Sequence, residues 1–126
     1  TTIIMGLSEK QRYILFVLGN MYEVSNKKLR ERLLEASVSK AAFIEVVKKA
    51  GLTEKGERAL YRNLEDLEAS KHLSYDNRVL KLTKKGHAIY AKTKAQLLPY
   101  LDILKIIEAG NIIKLTKKAR TTFITG

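Results

Sequence analysis

Apolar side chains recur at three- and four-residue spacing through most of the chain, the pattern of helices that each bury one face. The first such stretch opens at Ser8, a good N-cap residue, and its stripe is Tyr13, Ile14, Val17, Leu18 and Met21; Gly19-Asn20 predicts a fraying end. A second helix is expected from a Ser25 cap, with Leu29, Leu33 and Ala36 on one face. A third is expected from Ser39 to a stop at Gly51. A fourth is expected from a Thr53 cap, with Glu54 and Glu57 at its positive end and Leu60, Leu64 and Leu67 as its buried stripe. The period then changes. Leu73, Tyr75, Val79, Leu80 and Leu82 surround an Asp76-Asn77 turn, which predicts a two-stranded hairpin. Thr83 caps a final long helix in which Pro99 predicts a kink or a restart near residue 98, and Gly110-Asn111 a stop. The segment after Gly110 reads either as a short strand and turn or as a basic arm. The runs Leu52–Gly56, Leu82–Gly86 and Leu115–Ala119 echo one another, each placing Thr after an apolar residue; their unequal spacing marks reuse of a helix start, not a repeat architecture.

The order helix, helix, turn, helix, hairpin, long helix is that of a winged helix-turn-helix, a mainly α fold. The turn is the segment Lys48–Gly56, whose small residues let two helices cross closely, and Thr53 begins the helix that would enter a DNA major groove. This order divides the chain into a winged-helix DNA-binding domain over 1–86, a C-terminal dimerisation helix over 87–110 and a basic tail over 111–126.

Composition narrows the chemistry. The 126 residues are 45% apolar and 29% charged, ordinary for a globular protein, and one proline argues against a turn-rich β-sandwich. The absence of cysteine excludes disulfide scaffolds, cysteine-based zinc and iron–sulfur sites, and thiol nucleophiles. His72 and His87 are the two histidines and lack metal-ligand spacing; His72 is expected at a helix end or on the surface. No P-loop, GxSxG or GxGxxG run is present, so neither catalysis nor a cofactor is expected. No apolar run approaches the length of a membrane span and no signal peptide is visible, which points to a cytoplasmic protein.

The net charge of +11 calls for an anionic partner, and nucleic acid leads. Its distribution is uneven: residues 1–52 carry nine basic and five acidic side chains, 53–82 six of each, and 83–126 nine and two. The expected groove-reading helix is therefore not basic overall. Spacing nevertheless puts Lys55, Arg58 and Arg62 on one face, opposite Leu60, Leu64 and Leu67, with Tyr61 and Asn63 beside them as candidates for base or phosphate contact. The alternative is a solvated face laced with Glu–Arg pairs. Lys27 and Lys28, with Arg30 and Arg32, crowd an expected helix start, where cations are unfavourable and an external anion would compensate. Arg78 and Lys81 in the hairpin and Lys84 and Lys85 after it are further phosphate candidates. Lys114, Lys117, Lys118 and Arg120 in the tail read as a phosphate-binding arm or as an exposed end. Too few aromatics interleave with basic residues along any strand to suggest a single-strand-binding surface.

The run "LTEKGERALYRNLEDLEASKHLSY" followed by "RVLKLTKKGHAIY" resembles the MarR/PadR-like winged-helix regulators. It resembles still more the small archaeal winged-helix DNA-binding and chromatin proteins that end in a long dimerising helix. The shared marks are a leucine-spaced recognition helix, a hydrophobic first wing strand and a wing ending in Leu-Thr-Lys-Lys-Gly. The resemblance spans residues 8–105 and is most specific over 52–90; the short hairpin loop and the segment after Gly110 depart from it. It implies double-stranded DNA as partner, in transcriptional regulation or in the nucleoid, and a homodimer. Leu97, Leu98, Leu101, Leu104 and Ile107, with Ile106, are more large apolar residues than a helix covering a small domain needs, so they are the expected dimer contact; the alternative is that the tail segment Ile112–Ile124 folds back over them within one chain. A winged-helix protein–protein interaction module without DNA contact is the alternative.

Overall fold

The computed structural model describes residues 6–29, 36–52 and 56–110. Its elements are α1 (Glu9–Leu29), β1 (Val38–Ser39), α2 (Lys40–Lys49), α3 (Glu57–Ala69), β2 (Leu73–Asp76), β3 (Val79–Leu82) and α4 (Lys84–Ala109). The architecture is mainly helical with one small antiparallel sheet. β3 lies at its centre, pairing Leu80 with Val38 on one side and with Tyr75 on the other. The chain divides into two compact units, one up to Lys94 and one from Ala95.

Local chemistry explains most element ends. Ser8 and Gln11 form a reciprocal capping box at α1, each backbone N–H bonding the other's side chain at 3.2 Å. Ser39 caps α2 by accepting from the Ala42 N–H at 3.0 Å. α2 stops in a Schellman motif: Gly51 takes φ 74°, and the Gly51 and Leu52 N–H groups reach back to the carbonyls of Lys48 and Val47. Thr83 caps α4 by accepting from the Gly86 N–H at 3.1 Å.

Several expectations are corrected. α1 does not fray at Gly19-Asn20 but runs on to Leu29, so Ser25 lies inside it and caps nothing. Gly19 is there for packing: a Cβ at that position would meet the Tyr90 ring at 2.2 Å. α3 starts at Glu57 with Gly56 (φ 96°) as its cap residue, not at Thr53. The hairpin turn is Asn77-Arg78, one residue later than expected, because Asp76 already pairs with Val79; both turn residues have positive φ, as a twisted two-residue loop requires. Of the kink or restart expected at Pro99, the restart does not occur, because α4 runs on through it to Ala109. The two-residue strand β1 had no counterpart in the sequence pattern. Leu33, Thr53, Glu54, Lys55, Arg30, Arg32 and the tail over 111–126 lie outside the described residues.

The core of the first unit joins α1, α2, α3, the sheet and the start of α4. Leu15, Leu18, Phe43 and Leu67 are fully buried, with Leu60, Leu64, Leu73, Leu80 and Ile89 around them. Each such side chain contributes roughly 1.5–3 kcal/mol, more than any one cap, so packing decides the arrangement and the caps decide its edges. Tyr22 ties α1 to the sheet: its hydroxyl donates to the Leu80 carbonyl and accepts from the Val38 N–H.

In the second unit the helix exposes Leu98, Tyr100, Leu101, Ile103, Leu104, Ile106 and Ile107, while Leu97 is half-buried. No helix among the described residues is long and apolar enough to cross a membrane.

Candidate functional site

α3 presents three different faces. Leu60, Leu64 and Leu67 point into the core, and Arg58 and Arg62 are exposed on the opposite side. Asn63 turns toward α1, where its amide oxygen accepts from Gln11 Nε2 at 3.3 Å. Tyr61 turns toward α2, donating to Glu57 at 3.3 Å with the Lys40 ammonium 5.2 Å from its ring centroid. The five candidates expected on this helix thus resolve into two outward arginines and two lateral groups on α3, while Lys55 lies outside the described residues. The helix carries four carboxylates against those two arginines, and Glu65, Asp66 and Glu68 gather in its second half.

The cations rearrange more than the periodicity implied. Lys27 and Lys28 do not open a helix; they close one, in the last turn of α1, where positive charge is favourable. It is α2 and α4 that begin with cations, Lys40 and Lys84-Lys85, and they have no acidic residue in their first turns. Lys85 is partly accounted for, since its ammonium donates to the Ser70 carbonyl at the end of α3, 3.1 Å away. Lys84 is exposed, as are Arg78 in the turn and Lys81 on β3.

Sequence reasoning missed Lys40, Lys48 and Tyr75. The fold assembles them into an open groove of about 740 Å³, walled by α2 (Lys40, Ile44, Lys48), α3 (Glu57, Tyr61) and the hairpin (Tyr75, Arg78). Lys40 lies over both tyrosines, 4.9 Å from the Tyr75 centroid. Its backbone N–H donates to the Arg78 carbonyl at 3.0 Å, which fixes the hairpin tip against the start of α2. Glu57 pairs with Lys48 at 2.5 Å; the bond holds the Glu57 carboxyl below its usual range and raises the Lys48 ammonium. A smaller hollow of about 260 Å³ lies between α1, the end of α2 and α3, lined mainly by Tyr13, Ile14, Val47, Leu52 and Leu60.

His72 is not on the surface. It is 1% exposed, with Nδ1 2.7 Å from Ser70 Oγ, and its Nε2 lies buried without a hydrogen-bond partner. Burial, and then the positive charge of Lys85, hold the imidazole below its ordinary pKa. His87 is exposed on α4, edge-on to Tyr90. Among the described residues no group of three or more His, Cys, Asp or Glu is placed to hold a metal ion.

Comparison with protein-family models, with curated proteins and with solved structures finds no match to this chain.

Proposed function

We propose that the chain is a winged helix-turn-helix protein that binds double-stranded DNA, as a transcriptional regulator or a nucleoid-associated protein in the cytoplasm. The element order α1-β1-α2-α3-β2-β3-α4 and the sheet order β1-β3-β2 support the fold reading. The observation that carries the function is the outward face of α3. It presents Arg58 and Arg62 opposite a fully buried leucine stripe, with Arg78 at the tip of the adjoining hairpin. On this reading α3 enters the major groove and the two arginines read base edges. Arg78, Lys81, Lys84 and Lys85, with Lys27 and Lys28 from the end of α1, hold phosphates. No catalytic step and no cofactor belong to it.

Binding to random duplex, single-stranded DNA and RNA at 50 and 200 mM salt tests the proposal. About six phosphate contacts would weaken duplex affinity roughly a thousandfold between the two salt concentrations. Arg58→Ala and Arg62→Ala reduce sequence preference more than general affinity, whereas Lys84→Ala weakens all duplexes alike. No measurable affinity at 50 mM salt, or affinity indifferent to salt, favours the second reading, a protein–protein interaction module. The observation behind that reading is the excess of carboxylates on α3.

The same proposal includes a homodimer through the helix of the second unit. Leu98, Leu101, Leu104 and Ile107 are between 40% and 56% exposed, and Leu97 lies beside them. Two copies joined there would offer two α3 helices to successive major grooves. Light scattering at micromolar concentration is expected to give a dimer, and Leu101→Glu a folded monomer with weaker DNA binding. A monomeric wild type refutes this part.

A further inference from the structure

The duplex-binding reading uses Arg78 but leaves the rest of the groove between α2, α3 and the hairpin without a task. That groove joins two ingredients that are far apart in the sequence. Tyr61 comes from α3 and Tyr75 from β2, and a single ammonium, that of Lys40, lies 5.2 Å and 4.9 Å from their ring centroids. Arg78 and Lys48 also line the space, and the one acidic member, Glu57, is already paired with Lys48. The lining is held in place by backbone: Lys40 N–H to the Arg78 carbonyl, and Tyr75 opposite Leu80 in the sheet. Tyr75 keeps 39% of its surface exposed on this tied-down frame.

A partly exposed aromatic ring in a groove also lined by cations suits a nucleotide: the ring takes the base and the cations take the flanking phosphates. A base inside a duplex is covered above and below by its neighbours and offers no face to a side chain. An unpaired base does, and is the one that stacks on tyrosine. At about 740 Å³ the groove has room for a nucleotide. The geometry points to a stacking site for an unpaired DNA base on the exposed part of Tyr75, with Lys40, which also lies over Tyr61, and Arg78 on the adjoining phosphates. The protein then prefers locally melted DNA to fully paired DNA. This inference rests on the DNA-binding reading and names the form of DNA that reading does not specify.

The test compares full-length protein on two duplexes of the same length and flanking sequence, one fully paired and one with a four-nucleotide unpaired bubble, by fluorescence anisotropy at fixed salt. The wild type is expected to bind the bubble about tenfold more tightly or better, the scale set by one base on an aromatic platform. Tyr75→Leu removes that preference while keeping affinity for the paired duplex, and Tyr75→Phe retains it. Circular dichroism checks that the variants fold. Equal wild-type affinity for the two duplexes overturns the inference and leaves duplex binding standing, the tyrosines then serving only to hold Lys40. A preference that survives in folded Tyr75→Leu also overturns it. Failure to bind either duplex overturns the DNA-binding reading itself.

Discussion

Replacing Gly86 by alanine sets two effects of opposite sign against each other. At an exposed helix position the change stabilises by about 1 kcal/mol, because alanine is the better helix former. Gly86 is not exposed. It sits in the first turn of α4, and a Cβ there would lie 2.0 Å from the His72 carbonyl oxygen and 3.0 Å from its carbon. These are backbone atoms, so no rotamer change relieves the clash; α4 must move roughly 1.4 Å from the α3–β2 corner to restore an ordinary contact of 3.4 Å. Three hydrogen bonds span that gap: Thr83 N–H to the His72 carbonyl at 3.2 Å, the Thr83 hydroxyl to the Lys71 carbonyl at 2.6 Å, and Lys85 to the Ser70 carbonyl at 3.1 Å. At about 1 kcal/mol each their loss outweighs the propensity gain, leaving a net destabilisation of about 2 kcal/mol. For a domain of this size that lowers Tm by about 10 °C. Thermal unfolding followed by circular dichroism measures it. A Gly86→Ala protein as stable as the wild type, or more so, would show that the helix and the corner are not in backbone contact, and the reasoning from close approach would fail.

Two further outcomes follow from groups at the same corner. Burial lowers the His72 pKa in the folded state, so its contribution to stability is fully present above the ordinary imidazole value of about 6.5 and is lost as pH falls toward the depressed folded value. Tm of the wild type is expected to fall as pH drops below about 6.5, and less steeply in His72→Leu; Glu23 and Glu57, held low by Lys94 and Lys48, titrate at lower pH. Parallel slopes in the two proteins would rule His72 out as the titrating group. Lys71 occupies the left-handed position of the α3 Schellman motif at φ 66°, so Lys71→Gly should raise stability by about 0.5–1 kcal/mol in denaturant unfolding, and a loss of stability there would contradict the strain argument.

What the sequence reveals and what it hides divide along one physical line. Features governed by near neighbours are legible: the Ser8, Ser39 and Thr83 caps, the Gly51 stop and the leucine stripe of α3 need only residues a few positions away. Features governed by distant partners are not. Gly19-Asn20 looks like a helix end until Tyr90 packs on it, and once α1 continues, Lys27 and Lys28 change from an unfavourable helix start to a favourable helix end. The hairpin turn slips by one residue because Arg78 is not a usual turn residue; its positive φ accompanies the tie from its carbonyl to Lys40. The aromatic and cationic groove is invisible for the same reason, since no one segment contains it.

In the Thr83-Lys84-Lys85-Gly86 run most of the residues have work inside the fold. Thr83 gives its hydroxyl to a cap and to the Lys71 carbonyl, Lys85 gives its ammonium to the end of α3, and Gly86 gives up its side chain so that two backbones can touch. Three of the four residues therefore have work inside the fold that would keep them in place whatever the protein binds. Those three positions serve the corner between α3 and α4 and bear only indirectly on the proposed DNA binding. Lys84 differs: it is exposed, in a first turn with no acidic residue to offset it. On the DNA-binding reading, then, the loss of Lys84 should lower DNA affinity with Tm unchanged or slightly raised, while the loss of Lys85 also lowers stability. Measuring both separates the work these residues do in the fold from the work proposed for them on DNA.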